Sequence, residues 1–307
     1  MKVLSIIGMT RSGSTILDNL LGELPGFFSA GELHYLWQRG LTDRRTCGCG
    51  QTMVSCSVWS EVLAEIERTS EAVAPGDVVR WQSKAVRARH TWRLLRQTRD
   101  GHAQWPSLTR YAGVIAGVYR AIAKVTGSSV VIDSSKRASD AAVLGLLPGV
   151  EPYFVHLVRD PRAVAYSWRR AKKELDRSSP SQMPRYGVMN STTTWLSLNF
   201  AAEAVRRGYA LERSLMIRYE DFVERPAATL TRIANLVGAS PERLPVDDER
   251  RVTLGINHTV SGNPSRFRTG VVKLRLDDEW KQAQAPLDRA IATGIALPML
   301  ARYGYWL

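Results

Sequence analysis

With 307 residues, 44% hydrophobic and 23% charged, the chain is too apolar for a disordered segment and long enough to bury one large α/β core. Lys and Arg number 42 against 29 Asp and Glu, a net charge of +13 that suits a polyanionic ligand, nucleic acid or an anionic surface without choosing among them. No apolar run reaches transmembrane length, the amino terminus lacks a signal-peptide pattern and no repeat stands out, so a cytoplasmic protein is expected.

Residues 2–7 form an apolar, β-branched run. Ile16, Leu17, Leu20, Leu21 and Leu24 then recur at helical spacing until Pro25-Gly26 ends them. Between the two lies Gly8-Met9-Thr10-Arg11-Ser12-Gly13-Ser14-Thr15. The change of period predicts strand, tight loop and helix. Unpaired N–H groups at the helix start, with Ser12, Ser14 and Thr15, make a seat for an anion. The stretch nearly matches the Walker A pattern through Gly8, Gly13 and Thr15, but Ser14 stands where that pattern has lysine. The cation of this loop is Arg11, a planar fork suited to a phosphate–sulfate bridge. The bland alternative is a strand–helix turn with polar surface residues.

T-R-S-G-S-T-I-L, residues 10–17, resembles the 5′-phosphosulfate loop of sulfotransferases that use 3′-phosphoadenosine-5′-phosphosulfate (PAPS). The arginine form is similar to the tyrosylprotein and the bacterial carbohydrate and natural-product branches; the cytosolic branch usually has lysine. The resemblance implies an α/β, P-loop-NTPase-like three-layer sandwich with a central, mainly parallel sheet and helical insertions. It implies one domain over residues 1–307, and PAPS contacts from Thr10, Arg11, Ser12, Gly13, Ser14, Thr15 and Ile16.

Residues 27–33 read as a second strand that leads into Gly31-Glu32 at a carboxyl edge, where open parallel sheets bind ligands. Glu32 is either an ordinary loop carboxylate or, by the resemblance, the general base. Cys47, Cys49 and Cys56 follow in a polar loop spanning 40–57. A C-x-C with one further cysteine lacks a clear fourth metal ligand, His34 being the nearest histidine, so reduced structural thiols are expected ahead of a disulfide or a metal site. Helices are predicted at 58–69, at 77–100 and at 107–125. The second is strongly basic, a solvated face with packing aromatics or a dock for an acidic acceptor or membrane. Residues 40–127 are assigned to a helical insertion on the acceptor side.

A buried strand at 129–133 runs into Ser134-Ser135-Lys136. Lys136 is placed to assist the bridging oxygen, to bind the acceptor or to open the helix at 141–147. The strand at 153–159 ends in Arg159, with Asp160-Pro161 opening a helix that carries Ser167 about two turns on. Both side chains reach toward one phosphate. This V-R-D-P-R-A block with its distant serine resembles the 3′-phosphate site of the same family. A Ser- and Pro-rich loop covers 169–184, a helix 192–207, a strand 215–219 and a helix 227–237. Tyr219, in a Y-E-D-F ending, corresponds by resemblance to the tyrosine beside adenine. Residues 242–251 read as charged linker or short helix. The turn-rich 258–270 segment offers Arg266 and Arg268, which the resemblance places over the 3′-phosphate, and His258 as a rival base. Closing helices lie at 287–303, and Tyr305-Trp306-Leu307 pack.

The implied reaction is metal-free, in-line transfer of the sulfuryl group to a hydroxyl, with an amine second, on a small molecule, carbohydrate or peptide. Catalysis would rest on Glu32, Arg11 and Lys136. The alternatives are a P-loop kinase and a basic module that binds nucleic acid or membrane; neither has its full motif here.

Overall fold

Apolar runs buried on both faces predict a parallel sheet, and the computed structural model shows one. It describes residues 1–69, 73–100, 105–177, 181–209 and 211–305, with the backbone alone at 98–100. The strands, in chain order, are β1 (Lys2–Gly8), β2 (Phe27–Ser29), β3 (Val130–Lys136), β4 (Glu151–Val158), β5 (Lys173–Glu174), β6 (Ser181–Gln182), β7 (Ser214–Arg218), β8 (Arg251–Leu254) and β9 (Gly270–Lys273). The central sheet has the order β2-β3-β1-β4-β7, parallel throughout. The chain winds from β1 toward one edge, then returns beside β1 as β4 and winds toward the other. The carboxyl ends of β1 and β4 therefore border the crevice at the switch point.

The helices are α1 (Ser14–Gly22), α2 (Ser57–Thr69), α3 (Pro75–Ala85), α4 (Thr91–Asp100), α5 (Pro106–Thr126), α6 (Ala138–Leu144), α7 (Pro161–Arg169), α8 (Val188–Gly208), α9 (Tyr219–Glu224), α10 (Pro226–Leu236), α11 (Trp280–Ala283) and α12 (Pro286–Leu300). Side chains of β1 alternate between two cores, as a period of two requires. Leu4 and Ile6 face a core shared with α1, α9, α10 and β8. Val3 and Ile7 face the other, built from α2, α3, α5, α6 and α8. The result is the expected three-layer sandwich. No helix among the described residues is long and apolar enough to cross a membrane.

Two predicted elements differ. The basic helix at 77–100 is broken into α3 and α4. Val86 leaves helical geometry (φ −112, ψ 74) and is buried, and Thr91 Oγ1 donates to Ala88 O at 2.7 Å. The linker at 242–251 runs not into a helix but into β8, which pairs antiparallel with β9. Val252 and Leu254 are buried while Arg251 and Thr253 are exposed, an alternation too short to register as a strand in the sequence. At the carboxyl end Tyr305 is buried and its hydroxyl donates to Glu220 Oε2 at 2.6 Å; Trp306 and Leu307 lie outside the described residues, as do 178–180 of the predicted loop.

Candidate functional site

The loop after β1 is held by two glycines that tolerate no side chain. Gly8 (φ +132) lies so close to β4 that a Cβ would be 2.5 Å from Leu157 O. At Gly13 (φ +84) a Cβ would be 2.5 Å from the Tyr219 ring. Tyr219 thus packs against the loop. Between the glycines Arg11 also takes a left-handed conformation (φ 69). Ser12 and Ser14 are buried, while Thr10, Thr15 and Ile16 are half-buried. Thr15 Oγ1 accepts from Asn263 N at 3.2 Å, which ties the late loop onto this one.

Arg159 leaves the tip of β4 pointing at the same loop. Its Nη1 donates to Arg11 O at 3.1 Å, and its guanidinium lies 4.6 Å from the Tyr219 ring centre. Its Nη2 donates to Asp277 O at 2.7 Å and lies 3.1 Å from Asp277 Oδ2. Arg170 Nη2 reaches the same Oδ2 at 2.5 Å. Arg11 stacks over Trp168, 4.9 Å from the ring centre. Burial first, then Arg170, lowers the Arg11 pKa; burial, then Arg11 and Arg170, lowers that of Lys172 to about 8. Burial raises the Asp277 pKa, but Arg159 and Arg170 outweigh it and the net shift is downward. Arg159 and Arg170 thus share the Asp277 carboxylate, and Arg11 and Lys172 lie close enough to Arg170 to feel its charge. Ser12 Oγ, Arg11 Nη1 and Arg159 Nε are buried without hydrogen-bond partners among the described residues. Such groups are costly unless an anion meets them. Ser167 is buried on α7.

Glu32 ends the turn after β2. Gly31 (φ +75) packs so tightly on Thr259 that a Cβ would come within 2.7 Å of it. The Glu32 side chain is buried and accepts from Lys136 Nζ at 2.5 Å; Lys136 also donates to Ser134 O at 2.9 Å. Beneath this pair, Asp18 of α1 accepts from Ser29 and Ser134 hydroxyls, both at 2.7 Å, and burial pushes its pKa up to about 7.

Other candidates are engaged elsewhere. Asp160 caps α7, accepting from Arg162 N at 2.8 Å and pairing with the Arg162 guanidinium. Arg266 is 1% exposed; it donates to Thr259 O at 2.6 Å and Thr46 O at 2.7 Å, and braces the loop from inside. Arg268 is exposed. His258 faces cysteines, not the Glu32 pair: its Nδ1 is 3.1 Å from Cys56 Sγ. The fourth donor that Cys47, Cys49 and Cys56 lacked in the sequence is thus His258, whereas His34 pairs with Asp140 at 2.8 Å.

A family model described as "Sulfotransferase family" matches residues 4–242. The chain belongs to the sulfotransferase family. It is a transferase that takes a sulfuryl donor and an acceptor. No curated protein sequence matches it significantly. Among solved structures, this sulfotransferase is similar in fold to the sulfotransferase domain of the olefin synthase from Synechococcus PCC 7002, at 22% identity and a TM-score of 0.50 over 96% of this chain and 94% of that one. It is also similar to the sulfotransferase domain of the curacin biosynthetic pathway, at 18% identity and a TM-score of 0.56 over 97% of each chain. Sequence reasoning missed Arg170, Lys172 and Asp277 in the sulfotransferase. The basic run after α7 carried a signal for the first two; Asp277 carried none.

Proposed function

We propose that the enzyme transfers the sulfuryl group of PAPS to an acceptor hydroxyl. The observation that carries this reading is the crowding of Arg11, Arg159, Arg170 and Lys172 at the mouth of the β1 loop, with buried donors left over. The loop N–H groups, Ser12, Ser14, Thr15 and Arg11 would grip the phosphosulfate end. Arg159 and Ser167 would hold the 3′-phosphate, and Tyr219 would lie against the adenosine. The Asp277 carboxylate stands where a phosphate would meet Arg159 and Arg170, and it yields that place when the nucleotide binds.

Glu32 takes the acceptor proton as the acceptor oxygen bonds to sulfur; the bond from sulfur to the bridging oxygen breaks, and that oxygen leaves on the phosphate. Arg11 and the loop N–H groups stabilise the charge gathering there. Lys136 positions Glu32 through the 2.5 Å hydrogen bond. We assign Arg266 to bracing the late loop. Exposed Arg268 remains the cation of that loop available to the nucleotide.

We place the acceptor on the side of residues 40–127. The chain just after Glu32 helps to line an apolar cavity of 330 Å³ between Trp37, Met53, Leu63, Ile66 and Val114, which suits an aliphatic portion of an acceptor. One fold neighbour is a domain of an olefin synthase and the other comes from the curacin biosynthetic pathway, which supports a role in natural-product formation. The test is transfer of radiolabelled sulfate from PAPS to a panel of phenols, alcohols, sugars and peptides. Label in an acceptor supports the reading; a panel that stays unlabelled while ATP phosphorylates it overturns it.

A further inference from the structure

Three sulfurs and one imidazole nitrogen converge at the base of the late loop. The Sγ atoms of Cys47, Cys49 and Cys56 and a ring nitrogen of His258 all lie within 4.8 Å of one another. His258 Nδ1 is 3.1 Å from Cys56 Sγ and 3.9 Å from Cys47 Sγ. The three cysteines form no disulfide. We propose that these four residues bind one zinc ion as a structural site.

Zinc–sulfur and zinc–nitrogen bond lengths put tetrahedral ligands about 3.8 Å apart for two sulfurs and about 3.6 Å for sulfur and nitrogen. The two sulfur–nitrogen separations, 3.1 and 3.9 Å, bracket the second value, and all four donor atoms lie within 4.8 Å of one another. Three thiolates and an imidazole are the donor set that zinc prefers, and four protein donors close the coordination sphere, which marks a structural site. A disulfide would use two of the thiols and leave the third facing the imidazole without purpose.

The surrounding backbone holds the donors in place. Cys47 N donates to Gln51 O at 2.7 Å and Gly50 N to Cys47 O at 2.9 Å, so the C-x-C segment closes on itself as a tight turn. Trp59 Nε1 donates to His258 O at 2.6 Å, which holds the backbone that carries the imidazole. The two segments meet so closely that a Cβ on Gly48 would lie 2.0 Å from Asn257 Oδ1. No catalytic role proposed above uses these residues.

The ion would clamp segment 47–56 to a loop 202 residues further on. That loop carries the contacts that frame the reaction centre. Val260 N donates to Ala30 O at 3.0 Å, two residues before Glu32; Arg39 Nη1 donates to Ser261 Oγ at 3.1 Å; Asn263 N meets Thr15. The zinc is thus a staple between the insertion and the roof of the phosphosulfate loop.

Metal analysis of the full chain, expressed without a metal-binding tag in zinc-supplemented medium, tests this without any assay of sulfate transfer. The expected result is one zinc per chain, released to a chromophoric chelator as a mercurial titrates the thiols. Cobalt(II) added to the reduced, metal-stripped protein should give the absorption of a tetrahedral thiolate site. Cys49→Ser should lose the zinc; should that variant fail to fold, the wild-type metal content and cobalt spectrum decide. Wild-type protein without zinc and without a cobalt spectrum, an iron or copper ion in its place, or a disulfide among the three cysteines in non-reducing mass spectrometry would each overturn the proposal.

Discussion

Lys136 Nζ lies 2.5 Å from Glu32 Oε1, and both side chains are buried where β2 and β3 end. Two opposite charges so placed depend on each other: removal of one leaves the other buried and uncompensated. Glu32→Gln should therefore slow transfer by about 10²–10⁴-fold while leaving nucleotide affinity within about twofold, measured as kcat beside calorimetric Kd. Unchanged turnover would remove Glu32 as the base.

The same pair gives a stability prediction. Lys136→Met alone should cost about 3–5 kcal/mol in urea unfolding, because the Glu32 carboxylate stays buried without its partner. The double variant Glu32→Gln, Lys136→Met should be the more stable of the two. Additive losses would show that the pair is not coupled.

Asp277 should behave as a competitor. Its carboxylate accepts from both Arg159 and Arg170 in the position assigned to a phosphate. Asp277→Asn should tighten binding of 3′-phosphoadenosine-5′-phosphate by about tenfold, or ~1.4 kcal/mol. Weaker binding would instead assign Asp277 to orienting the two arginines.

Lys172 should report the ligand through protons. Burial, Arg11 and Arg170 hold its pKa at about 8, below the ordinary lysine value, and a bound polyanion raises it. The complex then holds a proton that the free enzyme lacks above about pH 8, so binding takes up close to one proton near about pH 9 and weakens as pH rises through that range. Calorimetry in buffers of different ionisation enthalpy reads this uptake. Lys172→Met should abolish it.

Asp18 should make stability fall as pH rises. Burial lifts its folded pKa to about 7, above the unfolded value. Between about pH 4 and about pH 7 the folded state holds a proton that the unfolded chain has lost, so stability declines by up to ~1.4 kcal/mol per pH unit across that window. Asp18→Asn should gain on the wild type across that window and stay parallel outside it. A flat difference curve would show that Asp18 stays ionised.

What the sequence made legible was local. The run at 2–7, the glycines at 8 and 13 and the helix from Ser14 are one continuous stretch, and its change of period alone predicts the loop. Arg159 was legible because a strand tip and a proline-opened helix are adjacent in sequence. The Cys–His cluster was not, because its fourth member lies 202 residues from Cys56 and no local pattern joins them. Arg266 was offered by resemblance alone; that folding buries it against the carbonyls of Thr46 and Thr259 depends on contacts distant in sequence. The break in the basic helix at 86–90 came from burial of Val86, which propensity alone does not foresee.

Calorimetric titration of 3′-phosphoadenosine-5′-phosphate into the wild type and into Arg159→Gln tests the central claim most directly. The account predicts one-to-one binding to the wild type, tighter than that of ATP, and a loss of at least about tenfold in the variant, ~1.4 kcal/mol for one charge-assisted phosphate contact. A wild type that shows no binding heat, or a variant that binds as tightly, would contradict it.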